Sequence, residues 1–206
     1  MLFRSGHSLG GYTALALAGG QVNLDDLRQA CSSLLGKTNR TISIGNNSFN
    51  VPILPSPGEW LQCSAANLPQ SQLQLGDNRI VSAIALNPLV GQLFGKSGLR
   101  KVTIPTLILA STEDAFTPAI AHQLQPFTQL GGRKYLLTAI GGTHLSVGDP
   151  SYANSRATVL RERIGKNAEP IRQLLKGVSL SFIEQITPEA KTYQPFLTPA
   201  YAQSLS

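Results

Sequence analysis

The chain has 206 residues, 42% of them hydrophobic and 14% charged, with a formal net charge of +6. That length supports a real core, and the composition excludes a disordered chain. No apolar run reaches the roughly 18 residues of a membrane helix, and no signal peptide is visible.

The first motif lies at the start. Met1-Leu2-Phe3-Arg4 leans apolar and leads into Gly6-His7-Ser8-Leu9-Gly10, which reads Gly-x-Ser-x-Gly. Gly11 to Gly19 follows as an Ala/Leu-rich segment that favours helix. Strand, sharp turn and helix form the setting in which this motif is a nucleophile elbow. The turn predicts a strained backbone at Ser8 and small residues on both sides, which Gly6 and Gly10 supply. The helix N-terminus directs amides and partial positive charge at whatever develops near Ser8.

Asn23 is placed to cap a helix over Leu24–Leu35, closed by Gly36. Lys37 to Pro57 is polar and proline-rich and reads as an irregular surface loop in preference to a lid-like insertion. Pro57-Gly58 opens a short helix through Trp60, Leu61 and Cys63. Ile80–Leu86, ending at Asn87-Pro88, is a nearly continuous apolar run, as a strand buried on both faces requires. Val102–Ala110 is a second such strand, with Pro105 near its start. Pro118–Leu130 predicts a helix kinked at Pro126, and Lys134–Ile140 a third strand that runs into Gly141-Gly142-Thr143-His144. An amphipathic helix spans Glu169–Glu184, and a tail with Pro188, Pro195 and Pro199 is expected to wrap the surface.

Alternating apolar strands and helices predict an α/β fold with a mainly parallel sheet and flanking helices. Ligands bind such sheets beyond the carboxyl ends of the strands. Three loops at those ends carry Ser8, Asp114 and His144. A serine hydroxyl needs a base, and the base needs an orienting carboxylate. Of three histidines, His7 sits inside the elbow and reads as a packing or hydrogen-bonding neighbour. His122 reads as an exposed or half-buried helix residue. His144 follows a buried strand through two glycines and is the expected base. Asp114 lies just past the second strand and is preferred as the acid over Asp149 and Glu113, while Asp25 and Asp26 are helical and Asp77 precedes a strand. The order Ser8, Asp114, His144 is that of α/β-hydrolases.

The two cysteines, Cys31 and Cys63, lie outside any CxxC, so metal and redox motifs are poor readings. One disulfide or two buried thiols both fit. The basic excess gathers at Arg156, Arg161, Arg163, Lys166, Arg172 and Lys176. Positions 161, 163 and 166 share no helical face, and aromatic interleaving is absent, which argues against nucleic acid. Peripheral contact with anionic membrane surfaces is a secondary expectation.

The elbow segment, Ile84-Ala85-Leu86-Asn87-Pro88 with Leu93-Phe94-Gly95, Ile104-Pro105-Thr106-Leu107-Ile108, Gly141-Gly142-Thr143-His144 and Pro195-Phe196-Leu197 with Tyr201-Ala202 together resemble an α/β-hydrolase of the largely cyanobacterial group called predicted dienelactone hydrolases. That group is similar to platelet-activating-factor acetylhydrolases. The resemblance runs over almost the whole chain, read as one domain over 1–206. It implies Ser8 as nucleophile, Asp114 as acid, His144 as base and the Leu9 amide as one oxyanion donor. It implies hydrolysis of small-molecule or lipid carboxylic esters without metal or organic cofactor. Dienelactone hydrolases proper use a cysteine where Ser8 stands, which favours lipase- or acetylhydrolase-type chemistry.

Members of that group carry a long region before the elbow. It holds the first strands, the second oxyanion donor and usually an export signal, which implies a periplasmic or exported family; the chain itself carries no address, and the cytoplasm is the default. The expectation is a fold with its N-terminal strands missing and an exposed, apolar parallel edge at the elbow strand. Loss of one oxyanion donor costs about 2.7–4 kcal/mol of transition-state stabilisation. The chain alone is therefore expected to be weak or inactive. The alternative is a non-catalytic fragment that pairs with another polypeptide covering that edge.

Overall fold

The computed structural model describes residues 2–36, 39–44, 47–52, 55–148 and 168–204. In chain order the elements are β1 (Leu2–His7), α1 (Leu9–Leu17), β2 (Gln21–Asn23), α2 (Leu24–Gly36), β3 (Asn39–Ile44), β4 (Asn47–Pro52), α3 (Pro57–Cys63), β5 (Gln72–Gln74), β6 (Ile80–Leu86), β7 (Thr106–Ser111), α4 (Gln125–Gln129), β8 (Lys134–Ala139) and α5 (Ala168–Glu184). Short helical turns over Ala190–Tyr193, Gln194–Leu197 and Pro199–Ser204 complete the described chain.

The principal sheet has the order β1-β6-β7-β8, and each of its pairings is parallel. Side-chain alternation along its central strands assigns the layers. Ala83, Ala85 and Ile108 face one side and join Leu15, Leu24, Leu27 and Phe94 in the larger core. Ile84 and Leu107 face the other side and join Val178 and Phe182 of α5. Helices thus cover both faces, and β7 is buried along its whole length. This is the expected α/β class, a parallel sheet with helices on both faces. Full burial of one side chain such as Phe182 contributes about 1.5–3 kcal/mol, so α5 is held mainly by this seam.

Local chemistry sets the boundaries. Asn23 Oδ1 accepts from the backbone N–H of Asp25 and Asp26 at 3.1 and 3.0 Å, capping α2 as expected. Ser56 and Glu59 form a reciprocal capping box at the start of α3. The second strand begins at Thr106, not Val102. Val102 is buried in the core ahead of the strand, its N–H donating to Leu99 O and its carbonyl accepting from the Gly131 and Gly132 N–H groups. The polar stretch after α2 is not simply irregular, because β3 and β4 pair as an antiparallel hairpin. β2 and β5 form a further short antiparallel pair that the sequence reading did not anticipate. Cys31 and Cys63 are joined in a disulfide that staples α2 to the end of α3.

β1 is the edge of the principal sheet, with Leu2 and Phe3 43% and 48% exposed. Among the described residues no helix is long and apolar enough to cross a membrane. Of the basic cluster, Arg156, Arg161, Arg163 and Lys166 lie outside the described residues, as does Asp149. Arg172 is paired with Glu169 at 2.9 Å.

Candidate active site

The carboxyl ends of the four parallel strands bring the sequence-derived residues to one end of the sheet. Ser8 sits between β1 and α1 with φ 59° and ψ −120°. Such a left-handed conformation is strained for a non-glycine residue. The surrounding backbone enforces it: Ser8 N–H donates to Leu86 O at 2.9 Å, and Ser8 O accepts from Leu89 N–H at 3.1 Å. The Ser8 hydroxyl makes no capping bond to α1. Leu9 opens α1, where unpaired N–H groups and the positive end of the helix dipole lie.

The tightness of this turn rests on Gly6. A Cβ there would meet the Gly10 carbonyl carbon and oxygen at 2.2 Å. Gly10 itself faces open space, with nothing within 4 Å of a built Cβ, so the expectation that both glycines are needed for clearance is corrected. The second close approach belongs to Gly11, whose Cβ would lie 2.8 Å from Pro88 Cβ.

Asp114, 4% exposed, follows β7 in a turn closed by its own side chain. Its Oδ1 accepts from Phe116 N–H at 3.0 Å and Thr117 N–H at 2.7 Å. Its Oδ2 accepts from Thr117 Oγ1–H at 2.6 Å and lies 2.8 Å from His144 Nδ1. A carboxylate only accepts, so Nδ1–H donates in this contact. His144 is 2% exposed. Its ring stacks obliquely against Phe116 at 4.9 Å and His7 at 4.6 Å between centroids. His7 Nε2–H donates to His144 O at 2.8 Å. His7 therefore acts as a hydrogen-bonding neighbour, one residue from Ser8, as the sequence suggested.

Of the other carboxylates, Asp149 lies outside the described residues. Asp77 stands before β6, at the other end of the sheet. Its hydrogen bonds from Arg79 hold its carboxyl down at about 2. Glu113 is exposed and joins the base loop only through its backbone N–H, which donates to Gly142 O at 2.8 Å.

His122 corrects the sequence reading. It is fully buried, and neither ring nitrogen has a hydrogen-bond partner among the described residues. The segment Ile120–Leu124 is π-helical. The wider turn slips the helical phase, turning His122 and Gln123 inward and leaving Ile120 69% exposed. Burial pushes the His122 imidazole down to about 4.

Thr117 and Gln123 were not singled out from the sequence. Thr117 Oγ1 lies 3.1 Å from His144 Nδ1 and accepts from Gln123 Nε2–H at 3.1 Å. Gln123 also donates to Thr117 O at 2.9 Å. The readable signal was the Asp-x-x-Thr spacing of Asp114 and Thr117, which favours a side-chain-closed turn. Among the described residues no group of three or more His, Cys, Asp or Glu is placed to hold a metal ion.

No protein-family model matches the chain, and no curated protein does. Several solved structures are similar in part. A truncated carbohydrate esterase from gut microbiota shares 15% identity at a TM-score of 0.35, over 76% of this chain and 57% of that one. A bifunctional GH43-CE protein of Bacteroides eggerthii shares 12% identity at 0.35, over 76% of this chain and 22% of that one. A monoacylglycerol lipase of Paleococcus ferrophilus shares 14% identity at 0.31, over 77% and 66%. The chain thus spans less than two thirds of each of these proteins.

Proposed function

We propose that this chain is a serine hydrolase of carboxylic esters, similar to dienelactone hydrolases and platelet-activating-factor acetylhydrolases. The observation that carries the reading is the buried 2.8 Å contact between His144 Nδ1 and Asp114, on the loop that His7 ties to the strained Ser8 turn. In this reading His144 Nε2 takes the Ser8 proton as Oγ attacks the acyl carbon. The Leu9 N–H receives the developing oxyanion. The protonated imidazole then delivers that proton to the departing alkoxide. Water, activated by the same nitrogen, cleaves the acyl-enzyme and releases the acid. Asp114 holds the tautomer and offsets the imidazolium charge; Thr117 and Gln123 hold Asp114.

A second reading is favoured by the exposed Leu2 and Phe3 of β1. An open parallel edge accepts a further strand, and the chain would then act as part of a larger sheet contributed by another polypeptide.

One experiment separates them: labelling of the folded chain by a fluorophosphonate probe, with Ser8→Ala alongside. Slow labelling, in keeping with the weak activity expected of the chain alone, that disappears in Ser8→Ala is the expected result. A cooperatively folded wild-type chain that takes no label overturns the hydrolase reading for the isolated chain and supports the second.

A further inference from the structure

Asn87 follows β6 directly, is fully buried and adopts φ 40°. Among the described residues it and Ser8 are the two non-glycine residues with positive φ. They stand at neighbouring strand ends, since His7 pairs with Leu86 in the β1–β6 ladder. Both therefore hold a strained backbone where the sheet meets the candidate site.

The Asn87 side chain reaches across to the base loop. Its Nδ2 donates to Thr143 O and to His144 O, each at 3.2 Å. Its backbone joins the other two segments. Asn87 N–H donates to Leu109 O of β7 at 3.0 Å, and Asn87 O lies 3.3 Å from Thr117 Oγ1 in the acid turn.

Satisfaction of those carbonyls does not explain the amide. His144 O already accepts from His7 Nε2–H at 2.8 Å, and Thr143 O accepts from Ser146 N–H at 3.3 Å. Nor does the amide satisfy itself, because Asn87 Oδ1 is buried without a hydrogen-bond partner among the described residues. A strained, half-satisfied buried amide disfavours folding. Glycine would hold the same φ without strain.

We infer that Asn87 is a positioning residue whose amide clamps the Thr143–His144 backbone to the end of β6, and so sets the imidazole relative to Ser8 and Asp114. The inference rests on the reading of His144 as the base. The clamp needs a donor: an aspartate of the same shape would face two carbonyl oxygens with acceptors alone.

The test uses Asn87→Gly, which keeps the backbone and removes the amide, and Asn87→Asp, which keeps the shape and reverses the polarity. Three readouts are taken on the whole chain: kcat and KM for p-nitrophenyl acetate, the thermal midpoint, and the downfield NMR resonance of the His144 Nδ1 proton. In Asn87→Gly, kcat is expected to fall about 10–100-fold, as small misplacements of a catalytic group do, with KM within roughly twofold. The thermal midpoint holds or rises, and the Nδ1 proton shifts or broadens in both variants. Wild-type kcat with an unmoved resonance in both variants overturns the inference. So does a loss of kcat that follows only a loss of folded protein. If the wild type hydrolyses no ester, the hydrolase reading fails by itself. The resonance then decides the clamp: displaced in both variants supports it, unmoved in both overturns it.

Discussion

Replacing Gly6 by alanine tests the geometry of the elbow most directly. The added methyl would sit 2.2 Å from the Gly10 carbonyl carbon and oxygen, against 3.4–4 Å for ordinary contact. The obstacle is backbone at the first turn of α1, so no side-chain rotamer can relieve it. Either α1 retreats by about 1 Å or the Ser8 turn opens. Overpacking of this kind costs about 1–3 kcal/mol, or roughly 2–12 °C in Tm for a domain of this size. The same shift displaces Ser8 from its partners, and a 1 Å error in a reacting group costs on the order of 10²-fold in rate. The assay is a thermal melt together with the rate of fluorophosphonate labelling. Gly10→Ala is the matched control, because its methyl would meet nothing within 4 Å. It lies in α1, where alanine gains up to about 1 kcal/mol over glycine. Gly6→Ala is expected to lose both stability and labelling, and Gly10→Ala to keep both. Equal losses in the two variants, or none in Gly6→Ala, would refute the packing argument.

Two further outcomes concern stability. His122 has its pKa lowered from 6.5 to about 4 in the fold, so the folded chain binds its proton less readily than the unfolded one. Its neutral form therefore supports stability fully above pH 6.5, and that support is lost as pH falls towards 4. The span corresponds to about 3 kcal/mol; urea melts at pH 7 and pH 4.5 should show His122→Leu losing less stability on acidification than wild type, and parallel losses would contradict the assignment. The Cys31–Cys63 disulfide closes a span of 32 residues, which the chain-entropy relation converts to about 3–4 kcal/mol. Replacing both cysteines by alanine should lower Tm by roughly 6–16 °C, and an unchanged midpoint would show that the staple does not limit unfolding.

The two central strands of the sheet were legible because they are apolar on both faces. Ile80–Leu86 carries no competing pattern, and its observed bounds are those read from the sequence. Asp114 could be singled out because it follows such a strand within a few residues; His144 follows β8, which is only partly buried, contrary to the expectation of a buried strand before it. The hairpin of β3 and β4 was overlooked, although Ile42 and Ile44, then Phe49 and Val51, alternate on either side of a two-residue Gly45-Asn46 connection. His122 misled for a different reason. Its orientation depends on one extra residue in a helical turn, a choice made by packing and not by local composition. Thr117 and Gln123 act through local contacts three and six residues apart that the sequence reading passed over, whereas the Asn87 amide acts on carbonyls 56 and 57 residues away, which no local window contains.

The register of β1 carries a consequence for biosynthesis. His7 pairs with Leu86, so β1 emerges from the ribosome roughly 80 residues before the strand it lies against. At about 5–20 residues per second that interval lasts several seconds. Throughout it, Leu2 and Phe3 belong to a nascent strand whose β6 partner, like the acid and base loops, has yet to be made. β1 is thus made well before the strand that secures it.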